Sequence, residues 1–149
     1  MPDKRTVEKA REDKREGKSA MTQAGEFVKE QIDKIRRGVH GARSTRQAIA
    51  IGLSEARRSG VDLPPPRKGK RSTRKSAKYA YEVGQGKRKP RRRPRVARAV
   101  KNVLKREPRS TASRKALSRQ ARSAAKRRSP SQRSAAAKKA VRTRARRAK

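Results

Sequence analysis

Apolar residues recur at helical spacing chiefly in one part of this chain. Met21, Ala24, Val28, Ile32 and Ile35 return at steps of three and four, with Phe27 beside them, which predicts an amphipathic helix over about residues 22–37. Thr22 is the candidate N-cap, Glu26 lies near the positive end of the helix dipole, and Gly38 supplies a left-handed stop behind Arg36 and Arg37. A second row, Ile49, Leu53 and Ala56, with Ala48, Ile51 and Gly52 alongside, predicts a helix from Ser44 to about Ser59. Ser44-Thr45-Arg46-Gln47 has the form of a capping box, Gly60 is the stop, and Val61 stands where a Schellman motif makes its contact with Ala56. Gly52 in mid-helix costs about 1 kcal/mol against Ala, which points to close approach of another backbone. Two such helices joined by a short loop predict an antiparallel hairpin, closed by the extended spacer Pro64-Pro65-Pro66.

Outside this stretch the pattern is weak. Residues 1–18 alternate acid and base, with Val7 and Ala10 their only apolar residues after the first two, which predicts a frayed helix or coil with no buried face, ended by Gly17. After Arg67, Pro90, Pro94, Pro108 and Pro130 divide the chain into Ala-rich basic segments. Residues 95–106 carry Val96, Val100, Val103 and Leu104 on one helical face. Residues 110–128 offer Leu117, Ala121 and Ala125, and residues 131–149 offer Ala137, Ala140, Val141 and Ala145, with Ser110 and Ser131 where N-caps are needed. These last two segments resemble one another loosely, a likeness that shared composition also produces. Ala, Lys and Arg form helices well, but like-charge repulsion predicts segments that stay unfolded until an anion neutralises them.

The expected fold is therefore mainly α: a charged arm (1–21), a small helix–loop–helix hairpin (22–63), and a long, largely disordered basic tail (64–149) with inducible helices. The hairpin has few large apolar side chains, so Val28, Ile32, Ile35, Ile49 and Leu53 are expected to form an assembly face for a homodimer or a protein partner.

Composition sharpens this. The 149 residues are 30% hydrophobic and 41% charged with a net charge of +37, and one Phe, two Tyr and no Trp leave little material for a core. The absence of Cys excludes disulfides, thiolate metal sites and cysteine nucleophiles. No stretch approaches the ~20 apolar residues of a membrane span, and no signal-peptide core is visible, which predicts a soluble cytoplasmic protein without a membrane partner. The charge is also uneven. Residues 1–63 hold 15 Lys/Arg and 10 Asp/Glu, whereas residues 64–149 hold 34 Lys/Arg and only Glu82 and Glu107 as acids. That asymmetry points to a polyanionic partner.

The partner expected is nucleic acid, DNA ahead of RNA, with the protein associated with the nucleoid. The candidate phosphate-binding residues are Arg67, Lys68, Lys70, Arg71, Arg74 and Lys75, then Arg91, Arg92, Arg93, Arg95 and Arg98. Further along they are Lys126, Arg127, Arg128, Lys138, Lys139, Arg142, Arg144, Arg146 and Arg147. Asn102, Gln85, Gln120 and Gln132 are isolated and no base-reading motif is present, so binding should tolerate sequence and weaken with salt. Tyr79 and Tyr81 suit either stacking on bases of a single strand or a local cluster with Val83. Arg43, Ser44 and Arg46, ahead of a helix N terminus, form a possible anion site, with an ordinary capped loop as the alternative. His40, the one His, is expected to satisfy its loop or contact phosphate, since one His without Cys builds no metal site. Glu26, Glu30 and Asp33 suit solvation rather than acid–base work, and residues 84–87 lack the spacing of a P-loop. No cofactor, metal or catalytic residue is expected, and no enzyme.

The stretch GEFVKEQIDKIRRGVHGARSTRQAIAIGLSEARRSGVDLPPP resembles the common part of a family of short, highly basic, uncharacterised bacterial proteins, some labelled DNA-binding or plasmid stabilisation. The tail resembles histone-linker tails in composition only. The resemblance implies a bacterial setting, supplies no catalytic residue, and leaves two further readings open: an RNA- or ribosome-associated protein, or an interaction module of a plasmid-maintenance or phage system.

Overall fold

The computed structural model describes residues 2–91 and 93–147. Seven α-helices run through them: α1 (Lys4–Arg15), α2 (Ala20–Arg36), α3 (Thr45–Arg58), α4 (Arg71–Gly84), α5 (Pro94–Arg106), α6 (Arg114–Lys126) and α7 (Pro130–Arg147), with a 3-10 turn at Ser110–Ala112. The chain divides into two compact units, one ending at Ser113 and one beginning at Arg114. A hairpin followed by a largely disordered basic tail, the fold that composition predicts, is therefore incorrect: four helices, α4 to α7, lie after residue 63. The physical reason is one of magnitude. Each like-charge pair at i, i+4 costs only a few tenths of a kcal/mol and is screened by salt, whereas Ala, Leu, Arg, Lys and Gln are the best helix formers. The helix starts are specified as well. Pro94 opens α5. At α7 the Ser129 hydroxyl accepts from the Gln132 amide at 3.2 Å while the Gln132 side chain accepts from the Ser129 amide at 3.2 Å. The cap of α7 is thus Ser129 rather than Ser131, and Ser110 belongs to the 3-10 turn rather than capping a helix.

In the first unit α1 packs on α2, α2 on α3 and α3 on α4. α2 and α3 approach closely at Gly52, where a Cβ would lie 2.6 Å from Val28 Cα and 3.0 Å from the Phe27 carbonyl oxygen. The backbone that Gly52 admits is the chain's own. α2 starts at Ala20, with the Ser19 hydroxyl accepting from the Thr22 amide, so the N-cap lies three residues before the Thr22 that spacing suggests. Met21 is exposed, and the buried row is Ala24, Phe27, Gln31 and Ile35, with Ile32 beside it. At the far end of α3 the Val61 amide donates to the Ala56 carbonyl at 3.1 Å and the Gly60 amide to the Arg57 carbonyl at 3.1 Å, a complete Schellman motif.

α1 is the second departure from the sequence pattern. It is a formed helix, capped by Asp3, with Ala10 and Asp13 buried. Small size substitutes for apolar bulk: Ala10 joins Ala24, Phe27, Ala56, Val61 and Leu63 in one core, with Val7 packed against it. Polar ties complete the docking. The Asp3 amide donates to a Glu30 carboxylate oxygen at 2.9 Å, and Lys34 pairs with the same carboxylate. Lys9 sits 3.6 Å from Glu26.

α4 covers the other side of α3. Ala77 and Ala80 are buried, and Gly84 lies so close to α3 that a Cβ would sit 1.7 Å from the Arg57 carbonyl oxygen. Arg57 is buried and donates to the carbonyls of Leu63 (3.0 Å) and Pro64 (3.3 Å), which fixes the proline spacer, and burial pulls its guanidinium below its ordinary value. The cover that the α2–α3 pair needs thus comes in part from α1 and α4.

Candidate nucleic-acid interface

The basic residues singled out by sequence fall into two settings. Arg67, Lys68 and Lys70 lie in the spacer before α4, and Arg71, Arg74 and Lys75 are exposed on its first turns. Arg91 and Arg93 lie in the connection to α5, and Arg95 and Arg98 are exposed on α5 itself. Arg92 lies outside the described residues. In the second unit Lys126 ends α6, Arg127 and Arg128 follow it, and Lys138, Lys139, Arg142, Arg144 and Arg146 are exposed on α7. Arg147 closes α7, its side chain outside the described ones.

The helices arrange these cations in a way that sequence spacing alone leaves implicit. On α6, Lys115, Ser118, Arg119, Arg122, Ser123 and Lys126 share one face, at steps of three and four, and line a shallow groove of about 740 Å³ with Arg127. On α7, Ala135, Lys138, Lys139, Arg142, Thr143 and Arg146 line a second groove of about 460 Å³. Lys115, Arg119 and Arg122 on α6, and Lys101, Lys105 and Arg106 on α5, are therefore members of cationic faces that sequence reasoning passed over; helical spacing was the signal that could have found them.

α5 is held at both ends. The Arg91 amide donates to the Tyr79 hydroxyl at 2.7 Å, and the Gly41 amide donates to the Leu104 carbonyl at 2.7 Å. The segment after α5 continues onto the α2–α3 loop: Arg36 donates to the Ala112 carbonyl at 3.0 Å and the Thr45 hydroxyl to the Thr111 carbonyl at 2.7 Å. Between these anchors Val96, Val100 and Val103 remain about half exposed.

The other candidates are placed as follows. At the N terminus of α3 the Ser44 hydroxyl accepts from the Gln47 amide at 3.2 Å, and the Gln47 side chain accepts from the Arg43 amide at 2.7 Å. The anion beside Arg43 is the chain's own Glu107, 3.8 Å away, and the connection through Thr111 lies over the helix start, which Arg46 shares. Of the expected assembly face, Ile32 and Ile35 are buried inside the chain, while Val28, Ile49 and Leu53 are half-buried. His40 has both ring nitrogens engaged, one 3.1 Å from the Gln31 side-chain oxygen and one 2.9 Å from the Gly41 carbonyl. Both tyrosines lie on α4. The Tyr81 hydroxyl donates to Asp62 at 2.6 Å, which pushes its ionisation up, and the Arg88 guanidinium sits 5.1 Å over the Tyr79 ring. Among the described residues, no helix is long and apolar enough to cross a membrane.

Residues 4–68 match a family of unknown function, DUF6496. The match spans α1 to α3 and the proline spacer and leaves α4 to α7 outside it. No curated protein and no solved structure matches the chain.

Proposed function

We propose that this protein binds duplex DNA without sequence selectivity, by laying the cationic helices of residues 94–147 against the phosphate backbone. The observation that carries it is that the described Lys and Arg side chains of these helices are exposed, while the one acid in the span, Glu107, is largely buried beside Arg43. DNA is favoured over RNA by size. A helix with side chains is ~10–12 Å across and fits a B-form major groove ~12 Å wide, whereas the A-form major groove is too narrow to admit it. The stacking that would favour single strands loses support, because both Tyr hydroxyls are held within the chain and Arg88 lies over the Tyr79 ring. In a bacterial cell, the setting that the resemblance of residues 25–66 implies, such a protein would lie on the nucleoid.

The test is fluorescence anisotropy of the full chain with a mixed-sequence DNA duplex over a range of salt, in competition with duplex RNA. Engagement of ~10 phosphates predicts a log–log salt slope near −9, with little change between sequences. No binding at 0.1 M salt overturns the reading, and RNA competing as well as DNA overturns its choice of partner.

A further inference from the structure

We propose that α5, α6 and α7 are three copies of one cationic helical module, each gripping the nucleic-acid backbone through the same row of three cations. The inference rests on the DNA-binding reading and goes beyond it by naming the row. Aligned with an offset of 21 residues and then 20, the helices agree at three sets of positions. The row begins at Arg98, Arg119 and Lys139, continues three residues on at Lys101, Arg122 and Arg142, and ends four further on at Lys105, Lys126 and Arg146. One residue after its middle member comes a small hydrogen-bonding side chain, Asn102, Ser123 or Thr143. Two residues before the row, and again at steps of four, all three copies are apolar: Val96, Val100 and Leu104 correspond to Leu117, Ala121 and Ala125, and to Ala137, Val141 and Ala145. Lys and Arg fill 34 of the 86 positions after residue 63, so a shared composition alone would leave several of the matched row positions uncharged.

The structure turns this register into geometry. Each aligned stretch is helical throughout, and all nine row cations are exposed. At 3.6 residues per turn the row occupies one arc of each helix, with the apolar positions centred about 130° away. At 1.5 Å rise the cations of a row stand about 4.5 and 6 Å apart along the axis. Phosphates of one DNA strand follow each other every ~3.4 Å of axis, so each cation can take a phosphate of its own. On α6 and α7 the row, with Ser123 or Thr143, lines the groove already described. Each copy carries a complete row and needs no pocket shared with another. Three such modules on one chain multiply their affinities through effective concentration.

The experiment holds charge constant and varies only its face, in the full chain, with a mixed-sequence DNA duplex as probe. On α7, Arg142→Gln removes one row cation, and Arg133→Gln removes one from the opposite side, about 180° round the helix. The row variant should reduce the salt slope by about 0.9, the value for one phosphate, and the opposite variant by less than about 0.3. Lys101→Gln and Arg122→Gln, the middle cations of the other two rows, should match Arg142→Gln within about 0.3 in slope. Circular dichroism verifies that each variant keeps its helix content. Equal losses from row and opposite variants overturn the module and leave DNA binding by charge count. A response confined to one helix overturns the repeat. A wild-type chain that fails to bind duplex DNA overturns the functional reading itself, an outcome distinct from the other two.

Discussion

α2 and α7 are nearly equal in length, 17 and 18 residues, and both are rich in charge, but they spend it differently. In α2 the acids are turned to partners: Glu26 to Lys9, Glu30 to Lys34 and the Asp3 amide. Its apolar row is buried against α1 and α3. In α7 the side chains described are exposed, and residues 114–149 contain no Asp or Glu at all. α2 is held by packing, α7 by propensity and capping. The lesson is that helicity here does not mark the core. What distinguishes the two helices is whether the chain supplies a neutralising carboxylate, and after residue 113 it supplies none.

The largest expected effect tests that division directly. Truncation after Ser113 removes 15 cations and no acid. Losing even five phosphate contacts, at a slope of ~0.9 each, should weaken DNA binding at 0.15 M salt by about a thousandfold or more. The thermal unfolding of the remaining unit should move by less than about 2 °C, a shift well under ~1 kcal/mol. Retained affinity would place the binding surface in the first unit. Next comes the close approach of α2 and α3. Gly52→Val should cost about 3 kcal/mol in denaturant unfolding, because its side chain meets the Val28 backbone rather than a side chain that can move. Gly25→Ala, on an open face of the same hairpin, should instead stabilise by about 0.5–1 kcal/mol. If both changes act alike, the packing of Gly52 is wrong.

Much of the hairpin was legible because its punctuation is local. The Ser44 box, the Gly60 stop with Val61, and the meaning of Gly52 all follow from residues within a few positions of one another. What was not legible depends on small residues. Ala10, Ala77, Ala80 and Gly84 give no hydrophobic signal, yet each permits a helix to come close, and so α1 and α4 looked too polar to dock. The formed state of α5, α6 and α7 was not legible for a different reason: like-charge repulsion was set above helix propensity, although the propensity sums over every residue while the repulsion is small per pair and screened. The cationic faces of the candidate site followed the same fate, since Arg119 and Arg122 become neighbours only once α6 is a helix.

A pair of truncations to Ala sharpens the contrast further. Ile35→Ala should cost about 2–4 kcal/mol, since Ile35 is fully buried and leaves a cavity. Val141→Ala, at a side chain 63% exposed on α7, should change stability by less than about 0.5 kcal/mol. A large effect at Val141, measured by the same denaturant titration, would show that the apolar positions of α7 are covered in solution.

The smallest effect concerns pH and separates the first unit from α6 and α7 by chemistry instead of volume. Burial alone would raise the Glu30 carboxyl, but the Lys34 ammonium, the Asp3 amide and the Thr6 hydroxyl outweigh it and hold the group below its ordinary value of 4.5. The unfolded chain therefore takes up this proton more readily than the folded one. The stability contributed by Glu30 is complete above about pH 4.5 and is lost as pH falls through the lower folded value. Glu30→Gln should cost about 1 kcal/mol at pH 7, and its deficit against wild type should shrink between pH 4.5 and 3. A deficit that stays constant across that window would remove Glu30 as the clamp between α1 and α2. α6 and α7 have no carboxylate to titrate, so their helix content should not change through the same window, and the acid side of the pH profile should belong to the first unit alone.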